Sequence, residues 1–500
     1  MELLSTLLSF HTVLSVFTGT FLGIVIGMLP GLNGPIGVAL LLPFTFNMDV
    51  TNALLLLGGL YMGSSYGGSI SAVLLNAPGT EVAAATALEG YPMTRAGKAE
   101  EALYLSLISS VLGGLFGALA MLTCTPLLAK IALHFGPPEM ALLALSGLAI
   151  IGMLSGRDIW IGLSAGALGI LLSTVGQDIM LGQIRNDFGV FELQAGINLA
   201  PTLVGLFAIS EIIFQLTRPA AASRVNAATE RAVFGEVARG VLRRFKGVLS
   251  KGSLIGVLIG VMPGAGAAIA TFIAYGEAKR GSKHPEKFGH GAPEGIVAAE
   301  AANNSAVCGS LVPLLALGIP GSVTCAIMYG ALTLHGIIPG PRLLQTSGDF
   351  VYTFMAGMVL TTFFMLLIGR CGLRLFSLAL KAPIRMLMPC ILILCMVGAF
   401  SINNSMFDVL LASIFGLMGY FFKLARIPVA PVVLGLILGP IMEEGVRQSL
   451  MMAKAHHMNI LLMLLERPAS LALMVILGAL CWASVVSAIR TRKLGGKLEE

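Results

Sequence analysis

Long apolar segments constrain this sequence more than any other feature. Several of them reach, or nearly reach, the roughly 20 residues with which an α-helix crosses the hydrocarbon core of a membrane. They cover residues 103–129, 139–155, 159–175, 390–400, 406–422 and 470–489. Only 11% of the 500 residues are charged, against about 25% in soluble domains. Because these runs do not alternate as barrel strands would, the sequence predicts an all-α polytopic membrane protein.

One pattern occurs twice in the sequence. Residues 19–34 read GTFLGIVIGMLPGLNG and residues 252–267 read GSLIGVLIGVMPGAGA, with spaced glycines and a Pro-Gly pair at identical spacing. A second Pro-Gly pair follows in each copy, in LLNAPGT at 74–80 and in ALGIPGS at 316–322. The sequence therefore predicts a two-fold internal repeat.

The repeat divides the chain into four predicted regions. They are a first repeat at 1–217, a basic linker at 218–251, a second repeat at 252–450, and a C-terminal region at 451–500. We expect about 11–12 spans in total from the repeats, counting discontinuous or re-entrant helices, plus an extra C-terminal span followed by a basic tail.

Equivalent loops of the two copies differ in charge. The loop at 46–54 has no basic residue, whereas its counterpart at 277–290 has four Lys or Arg. Basic residues favour cytoplasmic loops, so the two loops are predicted to lie on opposite sides of the membrane and the repeat to be inverted. Because the basic residues lie in such loops, the net charge of +6 does not indicate a nucleic-acid partner.

Two segments have apolar residues three and four positions apart, the spacing of one helix face. They are 1–17 and 234–248. The second is flanked by basic residues, which are Arg239, Arg243, Arg244, Lys246 and Lys251. Both are predicted to be helices lying in the membrane interface; an ordinary solvated linker helix is the alternative for the second.

The Pro-Gly pairs predict interrupted helices around 30–31, 78–79, 263–264 and 320–321. A proline inside a helix removes a hydrogen bond and costs about 3 kcal/mol or more. In hydrocarbon, the freed backbone groups need protein or a water-filled cavity around them. A plain kink would explain one pair. Pairs at corresponding positions of two halves indicate a transport site near the middle of the membrane.

Interrupted helices offer backbone groups of both signs. Helix N-termini suit an anion, whereas the freed carbonyls near Gly31, Gly79, Gly264 and Gly321 suit Na⁺. No Lys or Arg lies in these segments, so neutral donors are predicted to recognise an anionic substrate. The predicted substrate-binding residues are Pro30, Gly31, Asn33, Ser65, Asn76, Gly79, Thr80, Gly264, Gly266, Asn303, Asn304, Ser305, Gly321, Ser322 and Thr324.

Two polar patches of the repeat are expected to face each other. The stretch AEAANNSA at 299–306 aligns with LYMGSSYG at 60–67. Four carboxylates flank the breaks, namely Glu81, Glu89, Glu294 and Glu300. We interpret them as solvated groups at the membrane interface, with cation ligands or proton carriers as the alternative. The spaced glycines have a plain role too, because small residues four apart allow close helix packing.

Two other functions compete with transport. Residues 63–67 read GSSYG and match the nucleophile-elbow pattern G-x-S-x-G, which would make an intramembrane serine hydrolase. No strand is predicted before this motif, so we expect no enzyme. No P-loop is present in the sequence, so the chain itself is not powered by ATP. A passive anion channel is the second alternative.

Several motifs together resemble one known family. They are GMLPGLNGPIGVALLLPFTF, APGTEVAAATALEGYPMTRAGKA, GVMPGAGAAIATFIAYGEAKR, EAANNSAV and PLLALGIPGSVTCAIMYGALTLHGIIPGPRLL. Over nearly its whole length the sequence resembles the large membrane subunit of the bacterial tripartite tricarboxylate transporters, the TctA family.

This resemblance implies a secondary transporter of citrate and other di- or tricarboxylates in the bacterial inner membrane. It implies coupling to Na⁺ or H⁺ and no cofactor. It also implies a small four-helix membrane subunit and a periplasmic solute-binding protein as partners. We expect a mobile transport domain that carries the helix breaks and a more static scaffold, hence an elevator-like motion.

Overall fold

Helices make up almost all of the described structure. A computed structural model describes residues 2–29, 31–154, 159–178, 180–217, 230–262, 266–379, 384–475 and 477–478. Within these ranges, the only strands are β1 (Gly176–Gln177) and β2 (Ile184–Arg185), which pair antiparallel. The predicted all-α class is confirmed.

The helices of the first half range in length from 5 to 34 residues. They are α1 (Glu2–Leu7), α2 (Phe10–Met28), α3 (Gly34–Leu41), α4 (Val50–Leu75), α5 (Ala84–Arg95), α6 (Ala99–Ala132), α7 (Pro137–Leu154), α8 (Ile159–Ser173), α9 (Leu199–Leu203) and α10 (Ser210–Leu216). A π-helical segment, Val204–Ile209, joins the last two into one continuous helix.

The second half also contains both long and short helices. They are α11 (Phe234–Arg243), α12 (Lys246–Val261), α13 (Gly266–Gly281), α14 (Pro293–Leu317), α15 (Val323–Leu334), α16 (Leu343–Thr346), α17 (Gly348–Ala379), α18 (Ile384–Asn403), α19 (Met406–Leu424), α20 (Val429–Ala455) and α21 (Ile460–Glu466).

Six helices among the described residues are long and apolar enough to cross a membrane. They are Phe10–Met28, Ala99–Ala132, Leu199–Leu216, Gly348–Gly372, Met406–Leu424 and Val429–Ala455. Four shorter apolar helices accompany them, including Gly34–Thr45 and Val323–Leu334. The chain is therefore a multi-pass membrane protein. The predicted C-terminal span at 470–489 lies mostly outside the described residues. Residues 218–229 of the predicted linker lie outside them as well.

The N-terminal segment 1–17 is divided between two helices. Helix α1 ends at Leu7, and the hydroxyl of Ser9 accepts a hydrogen bond from the backbone N–H of Thr12, which starts α2. Serine is a preferred residue at this position because its oxygen satisfies an N–H group that has no partner inside the helix. Helix α2 then continues unbroken to Met28.

The two glycine-rich helices each lie directly on a neighbouring backbone. A Cβ atom added to Gly23 of α2 would stand 2.4 Å from the carbonyl oxygen of Leu60 in α4. Gly19 and Gly27 make the same approach to Leu56 and Ser64. Because the numbers rise together, α2 and α4 run parallel. The glycines thus have the packing role that their spacing predicts.

Helix α12 packs on α14 in the same way. A Cβ atom added to Gly256 would stand 2.4 Å from the carbonyl oxygen of Ala302, and Gly252 and Gly260 approach Ala298 and Ala306. These two helices are also parallel to each other. Each glycine-rich helix therefore forms a close pair with the long helix that follows it.

The two pairs cross at the centre of the molecule with opposite directions. Along α4 and α14, the contacts join Tyr61 to Ser310, Ser65 to Asn303, and Ser69 to Glu300. The numbers rise on α4 as they fall on α14, so these helices are antiparallel. The polar patches at 60–67 and 299–306 lie against each other here.

Helix α11 turns its apolar side toward the rest of the protein. Its Phe234 ring packs edge-on against Tyr104 of α6, with ring centroids 5.3 Å apart, and Val241 is buried. Arg239 and Arg243 lie on the exposed side. The described helix ends at Arg243, and α12 begins three residues later.

Candidate functional site

Two interrupted helices begin beside each other at the centre of the molecule. The side chain of Asn33 accepts a hydrogen bond from the Ile36 N–H and caps α3. The Ser322 hydroxyl caps α15 in the same way, accepting from the Cys325 N–H. Both caps satisfy one N–H group and leave others at the same helix end for a ligand.

Gly34 marks the point where these two helix starts meet. A Cβ atom added there would lie 2.8 Å from the hydroxyl oxygen of Ser64 and 3.5 Å from that of Thr324. The Tyr61 hydroxyl lies 2.9 Å from the Ser322 hydroxyl and 3.2 Å from that of Ser310. We call the residues Asn33, Gly34, Tyr61, Ser64, Ser322 and Thr324 the capping cluster.

The second Pro-Gly pair of each half contacts the glycine-rich helix of the same half. A Cβ atom on Gly79 would lie 2.0 Å from the carbonyl oxygen of Gly27. One on Gly321 would lie 2.9 Å from the carbonyl oxygen of Gly260. Only glycine allows such close backbone approach. Pro30, Pro263 and Gly264 lie outside the described residues.

The helices preceding the second breaks both end in a left-handed residue. Asn76 ends α4 with φ 53°, and Gly318 ends α14 with φ 75°. Asparagine and glycine are the usual residues at this position. Asn76 therefore ends the helix. It is exposed and lies away from the capping cluster.

Asn303 and Asn304 form a second polar centre, fully buried within α14. The Asn303 amide nitrogen donates to the carbonyl oxygen of Ser65 at 3.1 Å, and that of Asn304 donates to Glu300 O at 3.4 Å. Both side-chain oxygens are buried without a hydrogen-bond partner in the described structure, as is the Thr80 hydroxyl. Buried polar atoms without a protein partner are places for water, an ion or a ligand.

The structure therefore divides the predicted site residues. Asn33, Ser322 and Thr324 meet in the capping cluster, whereas Ser65 and Asn303 meet at the crossing of α4 and α14. Ser305 donates to the Ala302 carbonyl and packs against Gly256 of α12. Gly266 begins α13 with φ 69° and has no atom within 4 Å of an added Cβ.

The interpretation of Glu300 as a solvated carboxylate is wrong. Glu300 is fully buried. Its Oε1 accepts hydrogen bonds from the hydroxyls of Ser69, at 2.5 Å, and Thr86. Its Oε2 accepts from Ser110 at 2.7 Å. Three helices, α4, α5 and α6, supply these donors.

Glu89 is buried as well, against the same expectation, but its partners differ. It accepts from the backbone N–H groups of Gly289, Gly291 and Ala292 at 2.6–2.8 Å, and from the Tyr275 hydroxyl at 2.7 Å. The carboxylate holds the loop that leads into α14. Glu81 is exposed and Glu294 is half-buried, which agrees with the solvated interpretation for these two.

Sequence reasoning missed Tyr61, Thr86 and Ser110, and it misjudged Glu300. The available signal was a polar side chain within an otherwise apolar helix, since intramembrane ionisable residues face the protein interior. Nothing in the sequence gave the contacts between helices that place these hydroxyls around one carboxylate.

The G-x-S-x-G match at 63–67 lies in the interior of α4. Ser65 is buried, and its carbonyl oxygen accepts from Asn303. A nucleophile elbow needs a strand followed by a sharp turn. The helical surroundings of Ser65 are therefore not those of a hydrolase nucleophile.

A charged network joins the β-hairpin to the C-terminal half of α20. Arg447 contacts Asp178 at 2.8 Å, and Arg185 contacts Glu443 at 2.6 Å. The pKa of Asp178 lies below its usual range. The backbone N–H of Leu181 lowers it most, and the N–H of Met180 and the charges of Arg447 and Arg185 lower it further. Opposite charges and N–H donors both favour the ionised carboxylate.

Helices that stop and restart at the centre of a polytopic helical protein are typical of membrane transport proteins. The comparisons with known proteins agree with this class. The chain belongs to the tripartite tricarboxylate transporter TctA family, whose model matches residues 13–434. It is thus a membrane component of tricarboxylate transport, from a family of transporter subunits.

Two proteins of Agrobacterium vitis are similar to this chain. One, described as "Uncharacterized 52.8 kDa protein in TAR-I ttuC' 3'region", is 36% identical over 465 residues, which are 92% of each chain. The other, "Uncharacterized protein in TAR-II ttuC' 3'region", is 38% identical over 199 residues, which are 40% of this chain and 82% of that protein. No solved structure matches the chain at a significant level.

Proposed function

We propose that this chain is the permease subunit of a binding-protein-dependent secondary transporter that imports carboxylates by cation-coupled alternating access. The single observation that carries the proposal is the meeting of the α3 and α15 N-termini at the capping cluster. Free N–H groups and the positive ends of two helix dipoles favour a carboxylate there. Citrate is the first candidate substrate, in view of the family.

Neutral groups would recognise the anion in this site. The capping cluster contributes the hydroxyls of Tyr61, Ser64 and Thr324, and none of its residues is charged. Hydroxyl and backbone donors bind a carboxylate without the cost of burying a cation beside it. A coupling cation bound at the same time would offset the charge of the substrate.

The predicted inverted two-fold repeat would support alternating access. Parallel pairs α2/α4 and α12/α14 have the same glycine packing, yet α4 and α14 are antiparallel. Two equivalent units with opposite directions in one membrane are the arrangement that inverted-repeat transporters use to open on either side. The basic face of α11 would mark the cytoplasmic side.

Replacement of a helix cap by aspartate tests the anion site. Aspartate caps a helix as well as asparagine does, so Asn33→Asp keeps α3 but adds a negative charge beside the substrate. Two like charges about 4 Å apart repel by about 4 kcal/mol at an effective dielectric constant of 20. We expect uptake of radiolabelled citrate by vesicles holding the complete transporter to fall by about a thousandfold at subsaturating citrate.

The matched control is Asn459→Asp. Asn459 caps α21 by accepting from the Leu461 N–H, and it lies far along the chain from the capping cluster. The control should transport citrate as the unchanged protein does. Normal citrate uptake by Asn33→Asp would refute the assignment of the site to the α3 N-terminus.

An elevator-like motion would carry the interrupted helices past a scaffold. In this proposal α3 belongs to the moving part and α18 to the scaffold. Pro43, just after α3, contacts Gly398 of α18, with a Cβ-to-Cβ distance of 2.9 Å for a Cβ added to the glycine. Oxidation of a Pro43→Cys/Gly398→Cys variant should stop uptake, and reduction should restore it. Full uptake by the cross-linked protein would rule out this motion.

The proposed partners follow from the family. A small four-helix membrane subunit would complete the membrane complex, and a periplasmic solute-binding protein would deliver the carboxylate. The proposed location is the bacterial inner membrane. Co-purification of the chain with both partners from native membranes would test this assembly.

A further inference from the structure

Within the part of the chain that the structure describes, one buried carboxylate between the two halves has no positive partner. Glu300 lies on α14 with none of its surface exposed. Among the described residues, its side-chain hydrogen-bond partners are the hydroxyls of Ser69, Thr86 and Ser110 and the neutral amide of Asn303. Burying an ionised carboxylate away from water is costly unless it is well compensated. Buried ionisable groups inside membrane proteins usually have a function.

The kind of donor distinguishes Glu300 from Glu89. The partners of Glu89 include three backbone N–H groups, which can only donate and cannot accept a hydrogen bond from a carboxyl group. Hydroxyls can donate or accept. Around Glu300, one of them can therefore turn round and accept a hydrogen bond from a protonated carboxyl group while the others continue to donate.

The distances favour a proton over a metal ion between these atoms. The Ser69 and Ser110 hydroxyl oxygens lie 2.5 and 2.7 Å from the carboxylate oxygens, the separations of O–H···O hydrogen bonds to an anion. If two oxygens instead bound one cation, each at about 2.4 Å from it and with an O–cation–O angle of about 90°, the oxygens would stand about 3.4 Å apart. Each of the two observed separations therefore fits a single hydrogen bond and is too short for two oxygens that share a cation.

Two further hydroxyls lie one helical turn from the donors of Glu300. Tyr66, one turn before Ser69 on α4, has a buried hydroxyl without a partner in the described structure, and it is the titratable side chain that interacts with Glu300 from α4. On α6, the Ser106 hydroxyl is buried without a partner one turn before Ser110. Buried hydroxyls in this position are natural places for water.

The remaining helices packed on α14 present few ionisable groups here. Helix α5 brings Thr86 to Glu300, and its Glu89 is occupied by the loop before α14. Helix α13 contributes Tyr275, which donates to Glu89. Helix α12 presents its glycines to α14, while its Lys246 and Lys251 are exposed.

We propose that Glu300, held by the hydroxyls of Ser69, Thr86 and Ser110, is the site at which this protein binds and releases the coupling proton. Its carboxylate takes one proton from water on one side of the membrane, and a neighbouring hydroxyl changes from donor to acceptor. Release on the other side reverses both changes. The assignment deepens the proposed transport function and rests on it for the coupling, but the protonation itself is testable alone.

Infrared spectroscopy of the purified full-length chain tests the protonation without any substrate. Acidification should produce the C=O stretching band of a buried carboxylic acid, and Glu300→Gln should remove that band. Glu89→Gln is the matched control, a buried glutamate whose change should leave the band in place. A titrating band of full size in Glu300→Gln would overturn the proposal.

Proteoliposomes that contain the complete transporter test the coupling, with radiolabelled citrate as the probe. The unchanged protein should accumulate citrate when a pH gradient is imposed. Glu300→Gln should lose this accumulation, and its citrate exchange should no longer vary with pH. Accumulation driven by the pH gradient in Glu300→Gln would overturn the proposal, as would accumulation that needs Na⁺ and ignores pH.

Two further outcomes separate the hypotheses. If the unchanged protein neither exchanges nor accumulates citrate or succinate, the proposed function fails, and the infrared band still decides whether Glu300 is protonated. If Glu300→Gln is absent from the membrane, Glu300→Asp decides the coupling. Its shorter side chain should shift the pH of half-maximal uptake, and an unchanged pH profile would overturn the assignment.

Discussion

The contact of α2 with α4 makes Gly23 intolerant of even one added methyl group. In Gly23→Ala the new Cβ would stand 2.4 Å from the Leu60 carbonyl oxygen and 2.8 Å from the Leu60 Cα atom. Ordinary contact begins at 3.4 Å, and all of these atoms belong to helix backbones. Relief therefore requires the two helices to separate by about 1 Å, since no side chain can rotate away.

The separation has a cost that can be worked out. A gap of about 0.5–1 Å forfeits a quarter to a half of the roughly 0.1–0.2 kcal/mol in each atom pair. Over a crossing of about 20 such pairs the loss is about 0.5–2 kcal/mol, which overlaps the 1–3 kcal/mol typical of overpacked sites. Alanine also gains about 1 kcal/mol in helix propensity over glycine, so a control must cancel that gain.

Gly276→Ala is the matched control, because Gly276 lies inside α13 with no atom within 4 Å of an added Cβ. The free energy of unfolding of Gly23→Ala should be lower than that of the control by about 1–3 kcal/mol. The measurement is reversible unfolding of the full chain in mixed micelles, followed by circular dichroism. Equal stabilities of the two variants would refute the backbone contact as the reason for the glycine.

Three further predictions concern the polar residues. The double change Asn303→Ala/Asn304→Ala should abolish citrate uptake while the protein remains in the membrane, as measured by uptake and immunoblotting; normal uptake would refute a role for this pair. Because folding lowers the pKa of Asp178, its contribution to stability is complete above the usual aspartate pKa and is lost as the pH falls through the lowered value. The protection of the Leu181 N–H, taken as its hydrogen-exchange rate relative to that of an unstructured peptide at the same pH, should therefore fall on acidification, but not in Asp178→Asn. Ser65→Ala should keep most of its uptake, since only the Ser65 backbone oxygen is used by Asn303; complete loss would contradict this reading.

The sequence was sufficient for the class of fold and for the helix breaks. Proline and glycine act locally, so the end of α2 at Met28 and the restart of α3 at Gly34 lie where the residues predicted them. The spacing of Gly19, Gly23 and Gly27 predicted a packing face, although it could not say that α4 would be the partner.

The grouping of the site residues could not be predicted, because it depends on contacts between distant helices. Thr324 meets Gly34 although more than half of the chain length separates them, whereas Thr80 does not take part in that cluster. Glu300 was misjudged for the same reason. A glutamate near a helix break is solvated or buried according to what packs on it, and its three hydroxyl donors come from helices far away in sequence.

The hydrogen bond between Ser69 and Glu300 spans 231 residues of the chain, which has a consequence for biosynthesis. At about 5–20 residues per second of translation, roughly 12–46 seconds pass between the synthesis of Ser69 and the synthesis of its partner Glu300. During that time α4 has entered the bilayer while Ser69 lacks its carboxylate partner, and the close pairing of α4 with α2 must shelter it. Newly made chains arrested before residue 300 should therefore be the ones that membrane quality-control proteases recognise and remove.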